Sequence, residues 1–157
     1  MAWSNSKIFT AYIHDVLTNV TAMDLDTDAV FGVSLFDNTV TPSQTVSAAN
    51  SAYAAGVWAA GGVLDASGWP AAGRPLVNIT VSAATVTPVK FDADDTVSAN
   101  ATTTLTNAFG CLVYDDTIAA PVADQGVCFN YFGGANSVVA GTFTVVWNAS
   151  GILALTL

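Results

Sequence analysis

The chain has 157 residues, 52% of them hydrophobic and only 10% charged, with a formal net charge of -9. All 12 acidic residues are Asp, and the only cations besides His14 are Lys7, Arg74 and Lys90. So acidic a chain lacks the basic footprint that displaces counterions from nucleic acid, or that docks on anionic lipid, and both partner classes are excluded.

The length suits a single domain over 1–157, able to bury a core without metal or disulfide support. Residues 1–22 read as an N-terminal arm and helix, and 23–157 as a β-sandwich. Abundant Ala, Thr, Val, Gly and Asn, without Glu, is the usage of strands and turns. So few surface charges also imply that much of the surface is covered by a partner or by copies of the chain itself.

The opening Met-Ala-Trp-Ser-Asn-Ser-Lys has no basic segment followed by an apolar run, and is not expected to be a signal peptide. From Ser6, the apolar residues Phe9, Tyr12, Ile13, Val16, Leu17 and Val20 have the spacing of one buried helical stripe. Ser4, Asn5 or Ser6 is the expected N-cap. His14, the sole histidine, falls opposite that stripe, with Asp15 adjacent in sequence but not facing it. An exposed polar residue on an amphipathic helix is the expected role of His14, ahead of any Cys–His or Ser–His catalytic pair.

Asp24-x-Asp26-x-Asp28 is the weak metal candidate. Its alternating carboxylates resemble the opening of a calcium loop, but Ala29 replaces the glycine and Leu35 the glutamate that such a loop requires. Turns capped by Asp are the plainer explanation, so no metal or other cofactor is expected. A strand follows over 29–36, then a region opened by Pro42 in which 48–55 forms a short helix closed by Gly56. Gly61-Gly62 marks a turn, and 68–75 is a loop of helix- and strand-breaking residues.

Strands are expected at 76–82, with Val77, Ile79 and Val81 on one side, at 85–91 and at 102–106, with an acidic loop at 92–100. Two β-hairpins then follow in a row. The first joins 109–116 to 126–134. The second joins 142–147 to 152–157 through a turn at Asn148–Gly151, which sets Trp147 against Leu153 and Val145 against Leu155. The uncharged run from Gln125 onward is cut into strand-length pieces by Gly and Asn, which argues against a membrane helix. The fold class expected is mainly β, an antiparallel β-sandwich of jelly-roll or immunoglobulin-like type with one N-terminal α-helix.

Cys111 and Cys128, one on each arm of the first hairpin, read as two buried thiols. Asp-based glycoside hydrolysis finds no paired carboxylates placed in a cleft. Trp147 is expected in the core, whereas Trp3, Trp58 and Trp69, near the terminus or in glycine-rich loops, are the candidates for partner contact.

Ala-Val-Phe-Gly-Val-Ser-Leu-Phe-Asp-Asn-Thr-Val-Thr-Pro (29–42), behind its Asp-rich lead-in, resembles a family of small virion proteins from tailed bacteriophages. The likeness continues at Phe-Asp-Ala-Asp-Asp-Thr (91–96), at Gly-Cys-Leu-Val-Tyr-Asp-Asp-Thr (110–117) and in the segment Gly141–Leu155. It covers most of the chain, in dispersed pieces whose order and spacing carry it.

The resemblance implies a non-enzymatic structural protein, most often a capsid decoration or minor capsid protein and sometimes a tail component. It implies synthesis in the host cytoplasm, a place on the capsid surface of the virion, the phage major capsid protein as partner, and a homo-oligomer or many copies per particle. It carries over no catalytic motif. The alternative is a tail or host-recognition module that binds carbohydrate or the cell surface through loop aromatics such as Trp58 and Trp69.

Overall fold

The computed structural model describes residues 3–20, 25, 30–82 and 88–156. Its eleven strands are β1 (Lys7–Ile8), β2 (Phe31–Phe36), β3 (Gly62–Val63), β4 (Arg74–Pro75), β5 (Thr80–Val81), β6 (Val89–Asp92), β7 (Thr96–Val97), β8 (Thr103–Asp115), β9 (Gly126–Gly141), β10 (Thr144–Val145) and β11 (Leu153–Leu155). The helices are α1 (Thr10–Thr18) and the single turn α2 (Ala48–Ser51). All strand pairings are antiparallel, and the chain is a mainly β, sandwich-like fold with a short N-terminal helix.

The principal sheet runs β1-β9-β8-β2-β3, with β4 also against β2. All six residues of β2 are buried, as a mainly apolar strand requires when both its faces are covered, and its one polar side chain, Ser34, donates to the Ala71 carbonyl at 3.1 Å. On one face Phe31 meets Phe91 of β6 edge-on, ring centroids 5.2 Å apart, which ties this sheet to the smaller sheet β11-β6-β5. On the other, Gly32 pairs with Tyr114, and a Cβ at position 32 would lie 2.4 Å from the tyrosine ring. The absence of a side chain there lets Tyr114 lie across the strand, stack on Tyr53 at 4.8 Å and donate its hydroxyl to the Ala72 carbonyl at 2.7 Å.

The first hairpin forms as expected, but its arms are longer. β8 absorbs the separate strand expected at 102–106, and β9 continues to Gly141. Their register shifts repeatedly: Leu105 faces Val138, Ala108 faces Asn136 and Gly110 faces Tyr131. Asn107, Gly133 and Ala140 lie at these irregularities with φ of 58°, 81° and 48°, the left-handed conformation that a bulge demands.

The second hairpin does not form. Its turn is present, with the Gly151 N–H donated to the Asn148 carbonyl at 2.7 Å and Gly151 at φ 94°. Its arms diverge, however: β10 pairs with β7, and β11 pairs with β6. Each arm gains a partner elsewhere that also supplies apolar neighbours, so Trp147 does not face Leu153, nor Val145 face Leu155. Trp147 is half-buried and donates its indole N–H to Thr96 Oγ1 at 3.1 Å. The strand expected at 76–82 contracts to β5, because Asn78 adopts a left-handed φ of 52°.

Helix α1 begins later than expected. Its N-cap is Phe9, which makes no side-chain cap, and the Phe9 N–H is donated to the Val127 carbonyl at 3.1 Å. Pairing of β1 with β9, rather than capping by Ser4, Asn5 or Ser6, therefore sets its start. The buried residues of α1 are Tyr12 and Asp15, while Val16, Leu17 and Val20 are exposed. The helical period was legible, but its apolar stripe is only half in the core. Ser47 caps α2, accepting the Asn50 N–H at 3.3 Å.

Candidate functional site

The three tryptophans expected at a partner surface are core residues. Trp3 is 0% exposed, Trp58 2% and Trp69 0%. Trp3 donates its indole N–H to the Asp37 carbonyl at 2.8 Å and stacks on Tyr131 with ring centroids 6.4 Å apart. Trp58 joins Phe36, Phe9 and Phe129 in one aromatic cluster, at 5.0, 6.2 and 6.1 Å respectively. Trp69 donates to the Val33 carbonyl at 2.9 Å and meets Phe143 edge-on at 5.7 Å. Surrounding breakers made these positions look like surface loops. In the fold, the segment before β1, the 3-10 turn Gly56–Ala59 and the turn ending at Trp69 each direct their tryptophan inward, which leaves none of the three free to anchor a partner.

Asp24, Asp26 and Asp28 lie outside the described residues. The second acidic cluster is committed to hydrogen bonds within the fold, one local and two long-range. Asp92 accepts the Ala93 N–H at 3.0 Å, Asp94 the Asn78 amide at 2.6 Å, and Asp95 the Trp147 N–H at 3.0 Å. Among the described residues no group of three or more His, Cys, Asp or Glu is placed to hold a metal ion.

His14 points outward, as expected, with its side chain 67% exposed. Asp15, expected to face away from it, instead bonds it: His14 Nδ1 lies 3.0 Å from Asp15 Oδ1. The buried Gln125 donates to the other carboxylate oxygen at 2.9 Å. The bond to His14, and then that to Gln125, hold the Asp15 carboxyl below its ordinary range. Adjacent helix residues point apart by sequence spacing alone, yet the Asp15 carboxylate, turned toward the sequence-distant Gln125, reaches both partners.

Asp65 is the carboxylate that sequence reasoning missed. Oδ1 accepts the Ser67 N–H, Ser67 hydroxyl and Gly68 N–H at 2.9, 2.8 and 3.1 Å, and Oδ2 accepts the Thr104 N–H at 2.8 Å. These bonds, with Thr104 the strongest influence, bring its pKa down to about 2. The Asp-x-Ser-Gly sequence at 65–68 is itself a turn signal. The bond to β8 has no local signature.

Cys111 and Cys128 are both free and buried. They are diagonal rather than direct neighbours, since Cys111 faces Asn130 and Cys128 faces Val113. Burial raises both thiols, Cys128 to about 12, so neither is a nucleophile near neutral pH.

The surface carries apolar residues in place of charge. Leu17 is 79% exposed on α1, with Val16 on the same helix and Val20 just beyond it also exposed. A second set, Val97, Val139 and Val146, lies on or beside β7, β9 and β10. Between β9 and the segment 143–146 runs an open groove of about 340 Å³, lined by residues that include Tyr131, Phe132, Phe143 and Val145. No protein-family model, curated protein or solved structure matches this chain.

Proposed function

We propose that this chain is a non-enzymatic structural protein of a tailed-bacteriophage particle. In this role it is a capsid decoration or minor capsid protein that binds the outside of the major capsid lattice in many copies. The observation that carries the proposal is the exposed apolar surface of α1, led by Leu17, on a chain with so little surface charge. A surface of this kind gains free energy when a partner covers it. The resemblance of 29–42, 91–96, 110–117 and 141–155 to small phage virion proteins supplies the identity of that partner. The mechanism is binding alone: a protein that binds the assembled lattice and not its dissociated subunits stabilises the lattice by mass action.

The test is addition of the purified chain to heads assembled from the major capsid protein alone, followed by imaging and thermal disassembly. Many copies on the outer face, with a raised disassembly temperature, are expected. A few copies per particle, or density confined to the tail in intact virions, would overturn the decoration role. Tail placement would point to the host-recognition alternative.

A further inference from the structure

We propose that two copies of this chain associate through the open edge of β9, with residues 132–141 of one lying antiparallel beside the same residues of the other across a two-fold axis. This contact stands or falls independently of the particle to which the chain belongs. β1 covers the outer edge of β9 only opposite Phe129 and Cys128. Beyond Tyr131, whose N–H is taken by Ser6 Oγ at 3.0 Å, β9 has β8 on one side and, among the described residues, no strand on the other. The segment 143–146 shares an open groove of about 340 Å³ with Tyr131, Phe132 and Asn136, and its strand β10 pairs with β7 rather than with β9. Backbone donors and acceptors along such an edge are matched by another extended strand, which makes the occupant polypeptide.

Charge selects a second copy as that polypeptide. Every one of the 12 acidic residues precedes Gln125, and no Asp, Lys or Arg occurs from Gln125 to the last residue. The net charge of -9 is carried entirely by residues before Gln125, so homotypic contacts made through that part of the chain bring acidic surface against acidic surface. Between the bulge residues Gly133 and Ala140, β9 offers an extended stretch that meets its own image without such repulsion. Bulges interrupt this edge only at those two residues, and the stretch between them has no lysine or proline of the kind that commonly keeps exposed edges apart. Val139, 76% exposed, is the apolar side chain such a contact would cover. An isologous pairing of one strand with itself closes at two copies, because each edge is used once.

The full chain is examined by sedimentation velocity from micromolar to millimolar concentration, with hydrogen exchange measured at both ends of that range. A concentration-dependent dimer is expected, with exchange at 132–141 slowed in the dimer. The double variant Ala135→Lys, Val139→Lys places cations on exposed positions of the edge. It should raise the dimer dissociation constant by about tenfold or more with an unchanged circular dichroism spectrum. Leu17→Lys on α1 should leave the dimer intact. Monomers throughout, exchange at 132–141 indifferent to concentration, or a dimer abolished by Leu17→Lys and untouched by the double lysine variant would each overturn the proposal.

Discussion

Trp58 and Trp69 are both fully enclosed, yet their indole N–H groups have opposite fates. Trp69 donates to the Val33 carbonyl at 2.9 Å, inside the sheet, whereas Trp58 Nε1 is buried with no hydrogen-bond partner among the described residues. Replacing each by Phe removes one ring's worth of packing, less than the about 3–5 kcal/mol of full truncation to Ala, and by a similar amount at the two sites. The hydrogen-bonding consequences differ. Trp69→Phe leaves a buried carbonyl without this donor, at a cost of about 1–3 kcal/mol, while Trp58→Phe deletes a donor that was desolvated without compensation. Trp69→Phe should therefore destabilise the chain by about 1–3 kcal/mol more than Trp58→Phe. Urea unfolding at neutral pH, followed by circular dichroism so that loss of an indole does not bias the signal, measures the difference directly. Unchanged m-values would show that both variants unfold from the same native state. Equal losses, or a larger loss at Trp58, would refute the assignment of the two N–H groups.

Further outcomes follow from backbone and titration chemistry. Ala140 sits at φ 48° in a β9 bulge, where a Cβ costs about 1–2 kcal/mol; Ala140→Gly should thus stabilise by about 0.5–1 kcal/mol once glycine's extra unfolded-state entropy is deducted, in the same urea assay. Gly73→Ala should have the opposite effect, losing more than about 2 kcal/mol, because φ is 80° and the new Cβ would stand 2.1 Å from the Val33 carbonyl oxygen. The Asp65 carboxyl is depressed to about 2 in the folded chain, so its contribution is complete above the ordinary carboxylate pKa and fades as pH falls from about 4 toward 2. Asp65→Asn should flatten that part of the acid-unfolding curve, and an identical pH profile would count against its bonds to the 65–68 turn and Thr104. Cys111 and Cys128, buried with raised pKa values, should resist a thiol reagent in the native state and both react once urea unfolds the chain.

Fold class is legible in the chain, because strand composition and alternation are local properties. So too are the first hairpin, the start of β2 within the 29–36 run, and the turn at Asn148–Gly151. In each case neighbouring residues supply the whole signal: an apolar alternation, or a glycine able to reach positive φ. Where each edge docks and which apolar face is covered depend on contacts between residues far apart in the chain. Thr144–Val145 and Leu153–Leu155 share a turn yet join different sheets, since an antiparallel edge accepts any strand with a compatible face and the choice rests on long-range packing. In α1 the apolar period was right, but Gln125, distant in sequence, draws Asp15 inward while Leu17 stays in solvent. Trp3, Trp58 and Trp69 went into the core for the same reason: a loop's composition describes its backbone, whereas burial of its side chain depends on which surface the loop is laid against.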